Sequence, residues 1–182
     1  MSVIYYFRLK CHGDLALENF LAWSRVKHVR EPLTVVSASD AIKRACAIKA
    51  SADTPKALSI MLFTSGDWSV FEDLTGSTAG ISRAQWRRLA AGRELLVAGF
   101  NDSIACAHYL HIKDDCFVNQ ARFGRGRKTL RGDGFDKWFD VAAFVEDDFD
   151  DLVMAADDAA ATRTHLLVGG GIFKRWLEPS KS

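Results

Sequence analysis

Proline is scarce in this 182-residue chain, with only three, and that scarcity argues against a long disordered linker. The sequence also has no run of ~18 consecutive apolar residues, so no segment reads as a membrane-spanning helix. The opening "MSVIYYFRLKCHGDL" lacks the basic-then-apolar pattern of a secretory signal. Its four cysteines, Cys11, Cys46, Cys106 and Cys116, show no C-x-x-C spacing. This usage predicts reduced, mostly buried thiols and a cytoplasmic protein. G-x-S-x-G and H-E-x-x-H are missing, and no Cys/His pairing has a recognisable spacing. "GRGRKT" lacks the register of a phosphate-binding loop, and "HLLVGGGIF" does not complete G-x-G-x-x-G. No catalytic residue, metal or cofactor is therefore expected, although an enzyme with dispersed catalytic residues remains an alternative.

What is present is ample core material: 48% hydrophobic residues, with twelve Phe and five Trp. This length and composition predict one domain over 1–182, with 132–182 as its acidic helical C-terminal portion. "SVIYYFRLK" reads as a first strand, and from Asp14, a candidate N-cap, Leu17, Phe20, Leu21 and Ser24 recur at helical spacing. "LTVVSAS" (33–39) reads as a strand leading into a helix capped by Ser39 or Asp40. "ALSIMLFTS" and "WSVFEDLTG" flank the turn Gly66-Asp67. "SRAQWRRLAAG" is a helix with Ser82 and Gln85 in capping-box positions and Gly92 at its end. Three apolar strands follow, joined at Asn101-Asp102 and Asp114-Asp115, and connections this short make neighbours antiparallel. "GRGRKTLRGDG" reads as a flexible basic loop, and "THLLVGGGIF" as a short strand running into a turn. The expected class is α+β: an antiparallel meander sheet with helices packed on it.

The net charge of +1 conceals a division: residues 1–131 hold 19 Lys and Arg against 12 Asp and Glu, whereas 132–182 hold 5 against 11. Such asymmetry points to an electrostatically selective surface. The acids concentrate in "FVEDDFDDLVMAADDAA", with seven between Glu146 and Asp158. At 100° per residue, Val145, Phe149, Leu152 and Ala156 form an apolar stripe, and Asp147, Asp150, Asp151, Asp157 and Asp158 spread opposite, with Met154 among them. A calcium loop is excluded, because Leu152 and Val153 interrupt the ligand order and no glycine stands sixth. Asp is a poor helix former, and like charges three and four apart repel by a few tenths of a kcal/mol each. The expected partner-binding face is therefore Asp147, Asp148, Asp150, Asp151, Met154, Asp157 and Asp158, set against a plain solvated surface as the alternative. Arg122, Arg125, Arg127, Lys128 and Arg131 make the basic loop first a plain surface loop, with a secondary surface for nucleic acid, or for pairing with the acidic helix within the protein or across a homodimer, as the alternatives. His108 and His111, three apart on one strand, point to opposite faces and cannot share a metal ion.

"GDWSVFEDLTG" and "SRAQWRRLAAGRELLVAGFNDSIACAHYLHIKDDCFVNQARF", within roughly 58–123, resemble bacterial immunity proteins. These neutralise polymorphic and contact-dependent growth-inhibition toxins. The resemblance implies a non-catalytic inhibitor that binds one toxin, often a nuclease, and occludes its active site. In such families a strand like Trp68 to Asp73 is scaffold, and an acidic helix suits a basic toxin. The remaining expectations are a nucleic-acid-binding module built on 122–131, or an enzyme with an unrecognised site.

Overall fold

The computed structural model describes residues 3–24, 28–32, 57–73, 77–158 and 165–170, with side chains placed for 4–24, 64, 66–73 and 78–152. The expected strand and helix over 33–50, and Cys46 with them, lie outside the described residues. The architecture is α+β. Among the described residues, nine strands form one antiparallel sheet in the order β2-β9-β3-β4-β1-β5-β6-β7-β8. Strand β1 (Val3–Leu9) lies at its centre, paired with β4 (Trp68–Asp73) and β5 (Leu95–Asn101). The run β5, β6 (Cys106–Lys113), β7 (Cys116–Gly124) and β8 (Arg127–Arg131) is a meander. On the other side, β9 (His165–Gly170) inserts between β2 (His28–Pro32) and β3 (Ala57–Ser65). Among the described residues, no helix is long and apolar enough to cross a membrane.

Local chemistry explains most of the boundaries. The β6–β7 turn places Asp114 and Asp115 at φ 50 and 58, the paired positive values of a tight hairpin that Asp tolerates. Helix α1 (Gly13–Ser24) begins one residue before Asp14, so this residue is a first-turn acid favoured by the helix dipole and not the N-cap. Helix α2 (Arg83–Ala90) is capped by Ser82, whose hydroxyl accepts from the Gln85 N–H at 3.3 Å. It ends on Ala91 at φ 47 and Gly92 at φ 80. The β5–β6 connection is longer than a two-residue turn: Asp102–Ile104 forms a 3-10 turn, and β6 starts at Cys106.

Alternation along β1 assigns the two faces of the sheet. Phe7 and Leu9 point to one face, where Phe7 stacks on Phe71 at 4.6 Å between centroids and meets Trp86 of α2 at 5.1 Å. Phe20 of α1 lies 5.8 Å from Phe7. Each fully buried aromatic here contributes ~1.5–3 kcal/mol by leaving water. Tyr6 and Arg8 point to the other face, which helix α3 (Val141–Asp158) covers with Val141, Val145 and Leu152.

Candidate functional site

Helix α3 carries the acidic surface. Asp140 caps it, its Oδ1 accepting from the N–H groups of Ala142 (2.9 Å) and Ala143 (3.2 Å). Asp147, Asp150 and Asp151 are exposed and Glu146 half-buried. The helical backbone continues through Met154, Asp157 and Asp158, whose side chains lie outside the described residues.

Asp148 does not belong with them. Its side chain is 19% exposed and faces the sheet. There Asp148 Oδ1 accepts from an Arg8 Nη at 3.0 Å, and its Oδ2 accepts from the Tyr6 hydroxyl. The cause is the spacing Val141, Val145, Asp148, Leu152, which is four, three, four. Asp148 thus lies in the packed seam, where only its pairing with Arg8 makes a carboxylate tolerable. The Arg8 guanidinium also lies over the Trp68 ring at 5.1 Å. Burial, then the Asp148 charge, push the Tyr6 hydroxyl pKa far up, so it remains a proton donor.

Trp138, which the sequence reading did not single out, stands at the N-terminal approach to α3 with 79% of its surface exposed. Its backbone N–H donates to Asp136 Oδ1 at 2.7 Å, and the Lys137 ammonium sits 4.9 Å from its ring. The neighbouring Phe135 and Phe139 are half-buried, with centroids 4.5 Å apart. Together with Gly134 and Asp136, the three rings border a shallow depression of about 480 Å³. The signal in the sequence was "KWFD", a tryptophan among polar residues outside any apolar periodicity.

The basic segment is not a flexible loop. Residues 127–131 form the edge strand β8, joined to β7 by a turn with Arg125 at φ 52 and Gly126 at φ 70. Leu130, the strand's apolar anchor, packs into the core beneath α3. Lys128 lies on that side too, its ammonium donating to the Phe139 carbonyl at 2.7 Å. Arg127 and Arg131 alternate to the opposite face, as does Arg122 across the ladder from Thr129. Arg122, Arg125, Arg127 and Arg131 are exposed, and among the described residues none has an ion-pair partner. Among the described residues the basic and acidic poles therefore form no ion pair, and the cation paired with α3 is Arg8.

His108 and His111 point to opposite faces. His111 Nε2 meets Glu94 Oε1 at 2.9 Å, and Lys10 reaches Glu94 Oε2 at 3.3 Å. Burial would raise the Glu94 pKa, but these two hydrogen bonds and nearby Lys charge bring it below the usual value. His108 packs against the Tyr5 ring at 5.9 Å, a contact that needs Gly99, because a Cβ there would overlap both rings. Burial, with the adjacent Arg122, lowers the His108 pKa to about 4. At neutral pH it is an uncharged packing group.

No family model, curated protein or solved structure matches this chain. Among the described residues, no group of three or more His, Cys, Asp or Glu could hold a metal ion. Cys11 and Cys106 are half-buried free thiols, and Cys116 is an exposed one. Burial raises the Cys11 pKa, which keeps it a thiol.

Proposed function

We propose that this chain is a non-catalytic binding protein that captures a basic protein partner on the outer side of α3. In this reading it is an immunity protein that neutralises a cognate bacterial toxin in the cytoplasm. The observation that carries it is that Asp147, Asp150 and Asp151 are all exposed on one helix whose N-terminal approach exposes Trp138. Carboxylates alone steer a basic partner and speed its encounter, while an exposed tryptophan can enter a partner's pocket and slow its departure. The combination suits a toxin that holds nucleic acid. Its Lys and Arg would meet carboxylates where phosphates normally sit, and Trp138 would help close the cleft. The resemblance of residues 58–123 to immunity proteins points the same way and lies outside α3.

The test pairs this chain with the protein encoded immediately upstream of it, co-expressed in a toxin-sensitive strain. The unaltered chain should restore growth. The triple substitution Asp147→Lys, Asp150→Lys, Asp151→Lys should abolish protection and weaken binding by several kcal/mol where the pairs are desolvated. Trp138→Ala should cost ~2 kcal/mol or more of affinity as an anchoring residue. Full protection by the triple variant would reject the acidic surface as the interface.

A further inference from the structure

The meander ends in a hairpin whose two faces are unequal. On the α3 side, Ala121 lies in the core, Leu130 packs half-buried against it, and Lys128 is held by the Phe139 carbonyl. The opposite side carries Arg122, Arg127, Thr129 and Arg131, all exposed. From Gly124 through Arg131 the chain has four cations and no acid. Alternate residues of a strand are spaced ~6.7 Å apart, so Arg127 and Arg131 stand about 13 Å apart, with Arg122 beside the midpoint. The backbone carrying these arginines is a paired strand, so the spacing of their Cα atoms is set before any ligand arrives.

We propose that this open face of β7 and β8 binds the phosphate backbone of nucleic acid. Charge complementarity selects the occupant: a polyanion with regularly repeated charges matches a regular row of cations. The residue type refines it, because the cations on this face are arginines, whose planar forks take two phosphate oxygens at once. The ring that β7 places on this face, Phe117, packs against the core with the Arg83 guanidinium 4.0 Å over it, and Phe123 pairs with Lys128 on the other face. Bases therefore have no stacking platform, and binding is to the backbone, without sequence preference. This surface lies across the sheet from α3, so it can act whether or not the acidic helix captures a toxin.

The experiment titrates the full chain into fluorescein-labelled 20-base-pair duplex DNA and 20-nucleotide single-stranded RNA, reading anisotropy from 50 to 200 mM salt. Three phosphate contacts predict a log–log slope of about −2.7 on duplex, an affinity loss of about 40-fold over that range. The triple variant Arg122→Gln, Arg127→Gln, Arg131→Gln alters only exposed side chains. It should melt as the parent does and lose most of the binding and the salt slope. The His108 ring gives a second readout, since Arg122 stands across the ladder from it and adds to burial in lowering its pKa. When phosphate neutralises Arg122, the His108 NMR titration should move to higher pH. Absence of binding at 50 mM salt, or binding unchanged in the triple variant, would overturn the proposal. So would displacement of the labelled DNA by polyglutamate as readily as by unlabelled DNA, because it would show an affinity for negative charge of any kind.

Discussion

One face of the sheet rests on a dry stack of rings; the other rests partly on an ion pair. Beneath α1 and α2, Phe7, Phe20, Phe71 and Trp86 interlock with no polar atom among the contacts beyond the indole N–H. Beneath α3, the seam runs Val141, Val145, Asp148, Leu152, and Asp148 holds Arg8 and Tyr6. The outer surfaces differ in the reverse sense. Helix α2 exposes Arg87 and Arg88, and the hairpin on its side of the sheet exposes Arg122, Arg127 and Arg131; α3 exposes Asp147, Asp150 and Asp151. The charge division along the sequence thus becomes a division across the sheet. The rings hold their helices without help from charge, whereas α3 is held in part by a contact whose strength depends on charge.

The largest expected effect tests the dry face. Phe7→Ala removes a fully buried ring touching Phe71, Phe20 and Trp86, and should cost about 3–5 kcal/mol. Urea unfolding should show the midpoint falling with the slope unchanged. A loss below ~1 kcal/mol would mean that the rings are not tightly packed.

His108 is where this same face responds to pH. Its pKa falls from 6.5 to about 4 on folding. Between these values the unfolded chain binds a proton that the folded chain refuses, so protons favour unfolding. Stability is intact above about pH 6.5 and declines as pH drops, by on the order of 3 kcal/mol at pH 4. His108→Gln should lack that part of the slope in urea midpoints measured between pH 7 and 4. Superimposable profiles for parent and variant would remove His108 from the account.

On the polar face, Asp148→Ala strands Arg8, whose Nε already has no hydrogen-bond partner, and deprives Tyr6 of its acceptor. The expected cost is about 2–3 kcal/mol, or a melting temperature about 5–10 °C lower. The pair itself is worth less than its rupture costs. Replacing both partners, Arg8→Met with Asp148→Leu, should therefore recover much of the loss. A double variant as unstable as the single would show that Arg8 also contributes through packing on Trp68.

These contrasts were unevenly legible in the sequence. The hairpins at Gly66-Asp67 and Asp114-Asp115 were readable because polar turn pairs interrupt apolar runs. The place of β9 between β2 and β3 was not, because non-local pairing leaves no mark on local periodicity. Strand β8 was hidden for a different reason. An edge strand needs only one anchored side, so Leu130 is a lone apolar residue among cations that keep the edge from pairing elsewhere. Asp148 was assigned outward because of its charge, although its spacing from Val145 and Leu152 already placed it inward. The wheel was sound; the assumption that every aspartate follows the outer face was not.

The smallest effect is the most telling for α3. Asp147 and Asp151 are four apart and exposed, and Asp147 and Asp150 three apart, so each pair repels by ~0.2–0.5 kcal/mol at low salt. Asp147→Asn, Asp150→Asn and Asp151→Asn together should raise the melting temperature by about 1–3 °C in dilute buffer. Salt should erase the gain, because exposed charges are screened within a Debye length of ~10 Å at 0.1 M. An unchanged or lower melting temperature in dilute buffer would mean that the carboxylates support the helix, and a solvated surface would then suffice to explain them. A rise would mean that the chain maintains these charges at the expense of its own stability, as expected of a surface kept for a partner.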